Sequence, residues 1–320
     1  VVFNFPAGDT VAVNVPAEDI YRLSYQAGKE LTKPVDMSAI DAAQQRMVFD
    51  HYCRVGRQYI NEDNQTFGEV ISRPVDKREN YIKRCVGMPK DYLEIRNSIL
   101  YVNDKPAEVA PHQNLMYFAS EIGFATSEEL YTKFGIEKSD LYWDGRVVNG
   151  IHANLETIAK VRKAYPDVNF TVNVSPQYAP DGKGKFRASE QIENLSYFPK
   201  DINVSNNITN FERFQVPYAG KVVDFTKENI AYYRRIITAY EGHTLEEKAD
   251  GIYIDGKKTS TYTVQMNYYW MMGDNRYQSA DSRTWGFVPE DHIVGKASMT
   301  WYSSNPEYGV RWERVFKAIK

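Results

Sequence analysis

Two residues far apart in the chain, Lys83 and Ser279, carry side chains that can do chemistry together. A lysine acts as a general base only when its surroundings strip its proton. A serine hydroxyl can orient such an amine, or attack a carbonyl once a base takes its proton. Lys83 lies in the run Tyr81-Ile82-Lys83-Arg84-Cys85-Val86-Gly87-Met88-Pro89-Lys90-Asp91. Ser279 lies in Met271-Met272-Gly273-Asp274-Asn275-Arg276-Tyr277-Gln278-Ser279-Ala280-Asp281-Ser282-Arg283-Thr284-Trp285-Gly286-Phe287-Val288-Pro289. A free lysine titrates near ~10.4. Burial can lower that by up to about 3–5 pH units, enough to bring a base near neutrality.

The neighbours decide whether this happens. A strand over Tyr81–Val86 sends alternate side chains to opposite faces, so Lys83 shares one face with Tyr81 and Cys85. Arg84 shares the other with Ile82 and Val86, where it can bind a carboxylate and brace the strand. Apolar groups around Lys83 would desolvate it, and an acid would hold its proton on. A working base therefore requires that no carboxylate contact Lys83. The plainer reading is a surface lysine on an edge strand. In the second run, Gly273-Asp274-Asn275-Arg276 reads as a tight polar turn. Asp281 is expected to pair with Arg283 or Arg276, and Asp274 with Arg84, because bidentate pairs of this kind hold a loop rigid. The same charges also suit a structural loop with no chemistry.

Both runs resemble boxes of the bacterial type I signal peptidases, membrane-anchored endopeptidases with a serine and a lysine at their site. Val1-Val2-Phe3-Asn4-Phe5-Pro6 resembles the strand that follows the nucleophile region in that family. The resemblance covers roughly the first 8 residues, 70–106 and 265–303. It implies that Lys83 is the general base and that Ser279 donates a hydrogen bond to its amine. It also implies that Arg84, Gly273, Asp274, Asn275, Arg276, Asp281 and Arg283 support the site. The substrate would lie as an added strand beside Tyr81 and Ile82, with small pockets selecting small residues before the cut. The family nucleophile sits in an S-M-x-P-T-type motif. The only Ser-Met pair here, Ser298-Met299, lacks the proline. The attacking serine and a membrane anchor are therefore expected upstream of Val1. Tyr277-Gln278 stands where Asp-Asn is common in the family, and Lys90 where glycine is usual.

The resemblance implies a cell-membrane enzyme whose catalytic part faces the extracytoplasmic, periplasmic side and removes signal peptides from exported preproteins. No cofactor is expected. No metal is expected either, since His51, His112, His152, His243 and His292 show no ligand spacing. Rival readings are Ser279 as nucleophile with Lys83 as its base, a non-catalytic peptide-binding module on a degenerate peptidase fold, and a self-cleaving repressor of the same Ser-Lys clan. Chain length and the lack of a DNA-binding element argue against the last.

Composition agrees with a globular domain. The 320 residues are 42% hydrophobic and 25% charged, with a net charge of −3, so no basic field points to nucleic acid. Aromatic content is 14%, including 24 Tyr, which suits sheets and peptide grooves. Cys53 and Cys85 form no disulfide framework. No stretch approaches the ~20 apolar residues of a membrane helix.

These residues must be positioned by a mainly β fold with an α/β insertion, a coiled antiparallel sheet forming the core. Strands are expected at Val1–Phe5, Thr10–Val15, Tyr81–Val86, Tyr92–Ile95, Ile99–Val102 and Phe170–Val174. Hairpin turns are expected at Asn103-Asp104 and Asp255-Gly256. One helix opens at Ser38 and Asp41 and closes at Gly56, with a loop over Ile60–Thr66. Others follow Thr126, Asn154 and Thr226. A loop is read at Pro180–Gly184. Residues 1–106 and 251–320 are read as the catalytic core, and 107–250 as an inserted α/β domain or cap.

Overall fold

The computed structural model describes residues 1–33, 35, 36, 40, 42–174, 197–201, 204, 206–226, 229–248, 250–305 and 309–319. Strands predominate, paired antiparallel in several small sheets, with a few helices. None of the described helices is long and apolar enough to cross a membrane.

The expected single strand over Tyr81–Val86 is divided at Lys83. Asn80–Ile82 pairs with Val2–Asn4, with Val2 opposite Ile82 and Phe3 opposite Tyr81. Arg84–Gly87 pairs instead with Tyr268–Met272, with Cys85 opposite Met271 and Arg84 opposite Met272. Lys83 belongs to neither ladder, and its N–H donates to the Val1 carbonyl at 3.1 Å. The alternation survives this change of partner. Tyr81 and Cys85 both border one small core built on Phe3, Phe5, Met271 and Trp285.

Tyr268–Met272 is buried on both faces. Tyr268, Trp270 and Met272 enter the larger core with Phe198, Phe211, Phe214 and Phe287, while Met271 enters the smaller one. The Trp270 ring lies 4.6 Å from Phe214 and 5.4 Å from Phe287, centre to centre. Aromatic pairs contribute about 0.5–1.5 kcal/mol each beyond their buried area. The turn that carries Ser279 therefore leaves from a firmly seated strand.

A helical hairpin, Ile20–Leu31 and Ala42–Glu62, follows the second strand Thr10–Ala12. The first helix had no counterpart in the sequence reading. Asp19 caps it, accepting the Tyr21 N–H at 3.0 Å and the Arg22 N–H at 3.4 Å. The second helix does not close at Gly56. A Cβ on Gly56 would lie 1.8 Å from the Ser24 carbonyl oxygen, and one on Gly28 1.8 Å from that of Tyr52. These glycines let two backbones touch, so Gly56 sits inside the helix. Ile60, expected in a loop, is helical and fully buried. Ser38 and Asp41 lie outside the described residues, as does the expected loop at 180–184.

Residues 115–172 build their own four-stranded sheet, ordered Leu141–Asp144, Val147–Ala153, Leu115–Ala119, Phe170–Val172. Helices Ser127–Phe134 and Leu155–Ala164 close a separate core around Leu130, Ile151, Ile158 and Val161. Thr126 caps the first by accepting the Glu129 N–H at 3.2 Å, and Asn154 the second by accepting the Thr157 N–H at 2.9 Å. Phe211–Gln215 behaves differently. It pairs with Tyr92–Arg96, and Phe211, Phe214, Tyr233 and Ile236 lie in the larger core. Sheet pairing and core packing thus run across the boundary expected at residue 250. Both expected hairpin turns are present, with φ of 51° and 66° at Asn103-Asp104 and 50° and 75° at Asp255-Gly256.

Candidate active site

Gly273 is the wall between the two candidate residues. A Cβ built on it would lie 2.1 Å from Ser279 Oγ and 3.5 Å from Lys83 Cδ. Lys83 and Ser279, read from segments almost two hundred residues apart, therefore meet on one glycine. The Ser279 hydroxyl is buried and has no hydrogen-bond partner among the described residues. Lys83 is half-buried, and its Nζ lies 5.7 Å from the centre of the Tyr81 ring. No ion pair joins Lys83 to a carboxylate among the described residues. Burial lowers its amine below the ordinary lysine value; Asp281 opposes this and Arg283 adds to it.

The turn is held by three arginines with different partners. Of the two candidates for Asp281, it is Arg283 that pairs with it: Nε to Oδ1 at 2.9 Å and Nη2 to Oδ2 at 2.7 Å, with both side chains almost wholly buried. Asp281 also accepts the Gly273 N–H at 3.0 Å and the Arg283 N–H at 3.1 Å. Burial pushes the Asp281 carboxyl up, but the Arg283 charge and these N–H groups outweigh it and hold the carboxyl below the usual range. Arg283 further donates to the Arg276 carbonyl at 2.6 Å. Arg84 grips Asp274 in a second bidentate pair at 2.9 and 2.8 Å, half open to solvent. Arg276 pairs with neither acid among the described residues, and its Nη2 donates to Gln113 Oε1 at 2.7 Å. Asn275 donates to Gln278 Oε1 at 2.9 Å.

Tyr81 and Ile82 lie on an edge. Asn80–Ile82 is the outer strand of a three-stranded sheet, and Ile82 is 54% exposed. Sequence reasoning missed Ser282, whose buried hydroxyl accepts the Met271 N–H at 2.9 Å and ties the turn back to its strand. It also missed Gln113 and Asn114. The Asn114 N–H donates to the Asp274 carbonyl at 2.8 Å, and its carbonyl accepts the Arg276 N–H at 3.0 Å. Nothing local in the sequence marks those two. Lys90, the departure from glycine, adopts φ of 81°, the left-handed conformation that glycine enters without strain.

The signal peptidase, peptidase S26 family matches residues 42–162 and 258–302, together just over half of the chain. The chain belongs to that family. Signal peptidase I of Haemophilus influenzae is 48% identical over 71 residues, 21% of this chain and 20% of that protein. Signal peptidase I of Buchnera aphidicola subsp. Acyrthosiphon pisum is 30% identical over 117 residues, 37% of this chain and 34% of that protein. Signal peptidase IB of Staphylococcus aureus is 29% identical over 142 residues, 32% of this chain and 74% of that protein. The chain thus spans between a fifth and a third of the first two relatives.

Proposed function

We infer that this chain carries the general-base half of a serine endopeptidase site that removes signal peptides from exported preproteins. Neutral Lys83 takes the proton of the attacking serine and returns it to the leaving amine. Ser279, whose hydroxyl has no other partner among the described residues, is the group that would donate to the amine and fix its direction. Arg84, Asp274, Asn275, Arg276, Asp281 and Arg283 keep the turn in shape, and Gly273 leaves room for Lys83 and Ser279 to approach. The attacking serine is the one that the family resemblance puts ahead of Val1. By the same resemblance the enzyme is anchored in the cell membrane with this part on the extracytoplasmic side.

The observation that carries this reading is the meeting of a half-buried lysine and a buried, unpartnered serine hydroxyl on one glycine. The buried hydroxyl also argues against Ser279 as nucleophile, because an attacking oxygen must reach a carbonyl carbon. The free edge beside Tyr81 and Ile82 supports a substrate bound as an added strand. We read residues 107–174, with their own sheet and core, as the inserted unit, and 211–250 as part of the catalytic core. The test is Lys83→Ala in the full-length enzyme, with cleavage of a preprotein as the readout. Processing should be lost, and undiminished processing would end the reading.

A further inference from the structure

We propose that Tyr277 and Gln278 are positioning residues that clamp the Ser279 turn onto the separate sheet of residues 115–172. This rests on the reading of Lys83 and Ser279 given above. The two residues before Ser279 both depart from the family pattern, and both reach across to that sheet's unit. The Tyr277 hydroxyl donates to the Asn173 carbonyl and receives the Ser98 hydroxyl at 2.8 Å. Gln278 Nε2 donates to the Ser139 carbonyl at 2.8 Å. The Tyr277 ring also meets the buried His152 ring edge-on, 6.1 Å between centres.

The acceptors are well chosen for a clamp. Asn173 is anchored to the separate sheet, its N–H donating to Met116 at 2.8 Å. Ser139 sits in a short 3-10 turn that leads into the outer strand Leu141–Asp144. Ser98 is buried in the hairpin turn between Tyr92–Arg96 and Ile99–Val102. Tyr277 therefore bonds to the catalytic core and to the separate unit at once. Asp and Asn at positions 277 and 278 would be too short to reach these carbonyls while keeping the turn as it is. On the turn's other side, Asn114 brackets Asp274 and Arg276 with main-chain bonds. The turn is thus held from both ends by a unit that supplies no group to the reaction. What the clamp fixes is the distance between the Ser279 hydroxyl and the Lys83 amine, and the exclusion of water from between them.

The test uses Tyr277→Phe and Gln278→Ala, singly and together, in the full chain. Tyr277→Phe removes one oxygen and keeps the ring against His152, so the fold survives it. The readout is the titration of the Lys83 amine, followed by NMR of the isotopically methylated lysine, with labelling by an amine reagent near neutral pH as a second measure. In the double variant the Lys83 titration should move up toward the ordinary lysine range. Labelling of Lys83 should then slow by about threefold or more, since the neutral fraction falls tenfold for each pH unit that the pKa rises. A purely structural brace would lower the melting temperature and leave the titration alone. A Lys83 titration that lies below the ordinary range in the wild type and is equally low in the double variant overturns the clamp and leaves Lys83 as the base. An ordinary wild-type value would instead overturn Lys83 as the base. The two failures are read from different samples.

Discussion

Gly273 and Ser279 stand so close that the glycine's missing side chain is occupied by the serine hydroxyl, 2.1 Å from where a Cβ would be. No rotation of the glycine relieves this, because its N–H is held by Asp281 at 3.0 Å. Gly273→Ala must therefore drive Ser279 off Lys83. We expect the variant to fold with a loss of about 1–3 kcal/mol, the usual cost of overpacking. Processing by the full-length enzyme should fall by about 100-fold, as misplacement of a catalytic group by an ångström commonly does. A Gly273→Ala enzyme at wild-type rate would mean that Ser279 takes no part.

The two acid–arginine pairs should differ sharply in worth. Asp281→Asn leaves Arg283 buried and uncompensated, which costs about 3–5 kcal/mol. Asp274→Asn breaks a pair whose side chains are 38% and 31% exposed, and should cost no more than about 1 kcal/mol. Urea denaturation of both variants checks the contrast. Asp281 also gives an acid signature. Its folded pKa lies below the ordinary 3.8, so its contribution is present above that value and is lost as pH falls through the folded one. Asp281→Asn should flatten the acid limb of the stability curve.

Lys83 predicts a pH dependence of the same sign in the alkaline range. Burial holds its folded pKa below the ordinary 10.5. Below the folded value both states hold the proton, and the fold bears the cost of a half-buried charge. Between the two values only the unfolded chain holds it, so stability rises with pH. Lys83→Met should therefore be more stable than the wild type near neutrality while inactive. The advantage should shrink as pH approaches 10.5. A pH-independent difference in urea midpoint would mean that Lys83 titrates as an ordinary lysine.

Helix propensity and packing make contrary forecasts at Gly56. In an exposed helix, glycine to alanine gains about 1 kcal/mol. Here the new methyl would meet the Ser24 carbonyl at 1.8 Å, and the hairpin would have to open. We expect Gly56→Ala to lose about 1–3 kcal/mol, as overpacked sites do. Thermal unfolding decides between them.

The site was more legible than the frame around it. Lys83, Ser279 and the pairs at Arg84 and Asp281 lie in runs whose charge and glycine pattern is dense and local. The hairpin turns and the caps at Thr126 and Asn154 were legible because a turn or cap is specified by two or three adjacent residues. Gly56 misled because a glycine that ends a helix and one that admits a neighbouring backbone look alike in one dimension. The division at Lys83 was hidden because alternation of faces says nothing about which strand pairs on either side. Tyr277 and Asn114 act through main-chain partners far away in sequence, and Gln113 through the distant Arg276 side chain, and such partners leave no local mark.

Arg84 and Asp274 are separated by 190 residues, and the pair exists only when both ends of that span are in the same fold. A chain emerging from the ribosome carries Lys83 long before it carries residue 281 or 283. Until then the amine is an ordinary, protonated, water-soaked lysine. Contacts of such long range form late. On the reading of Lys83 as the base proposed above, the centre would be complete only once both ends of that span have folded together.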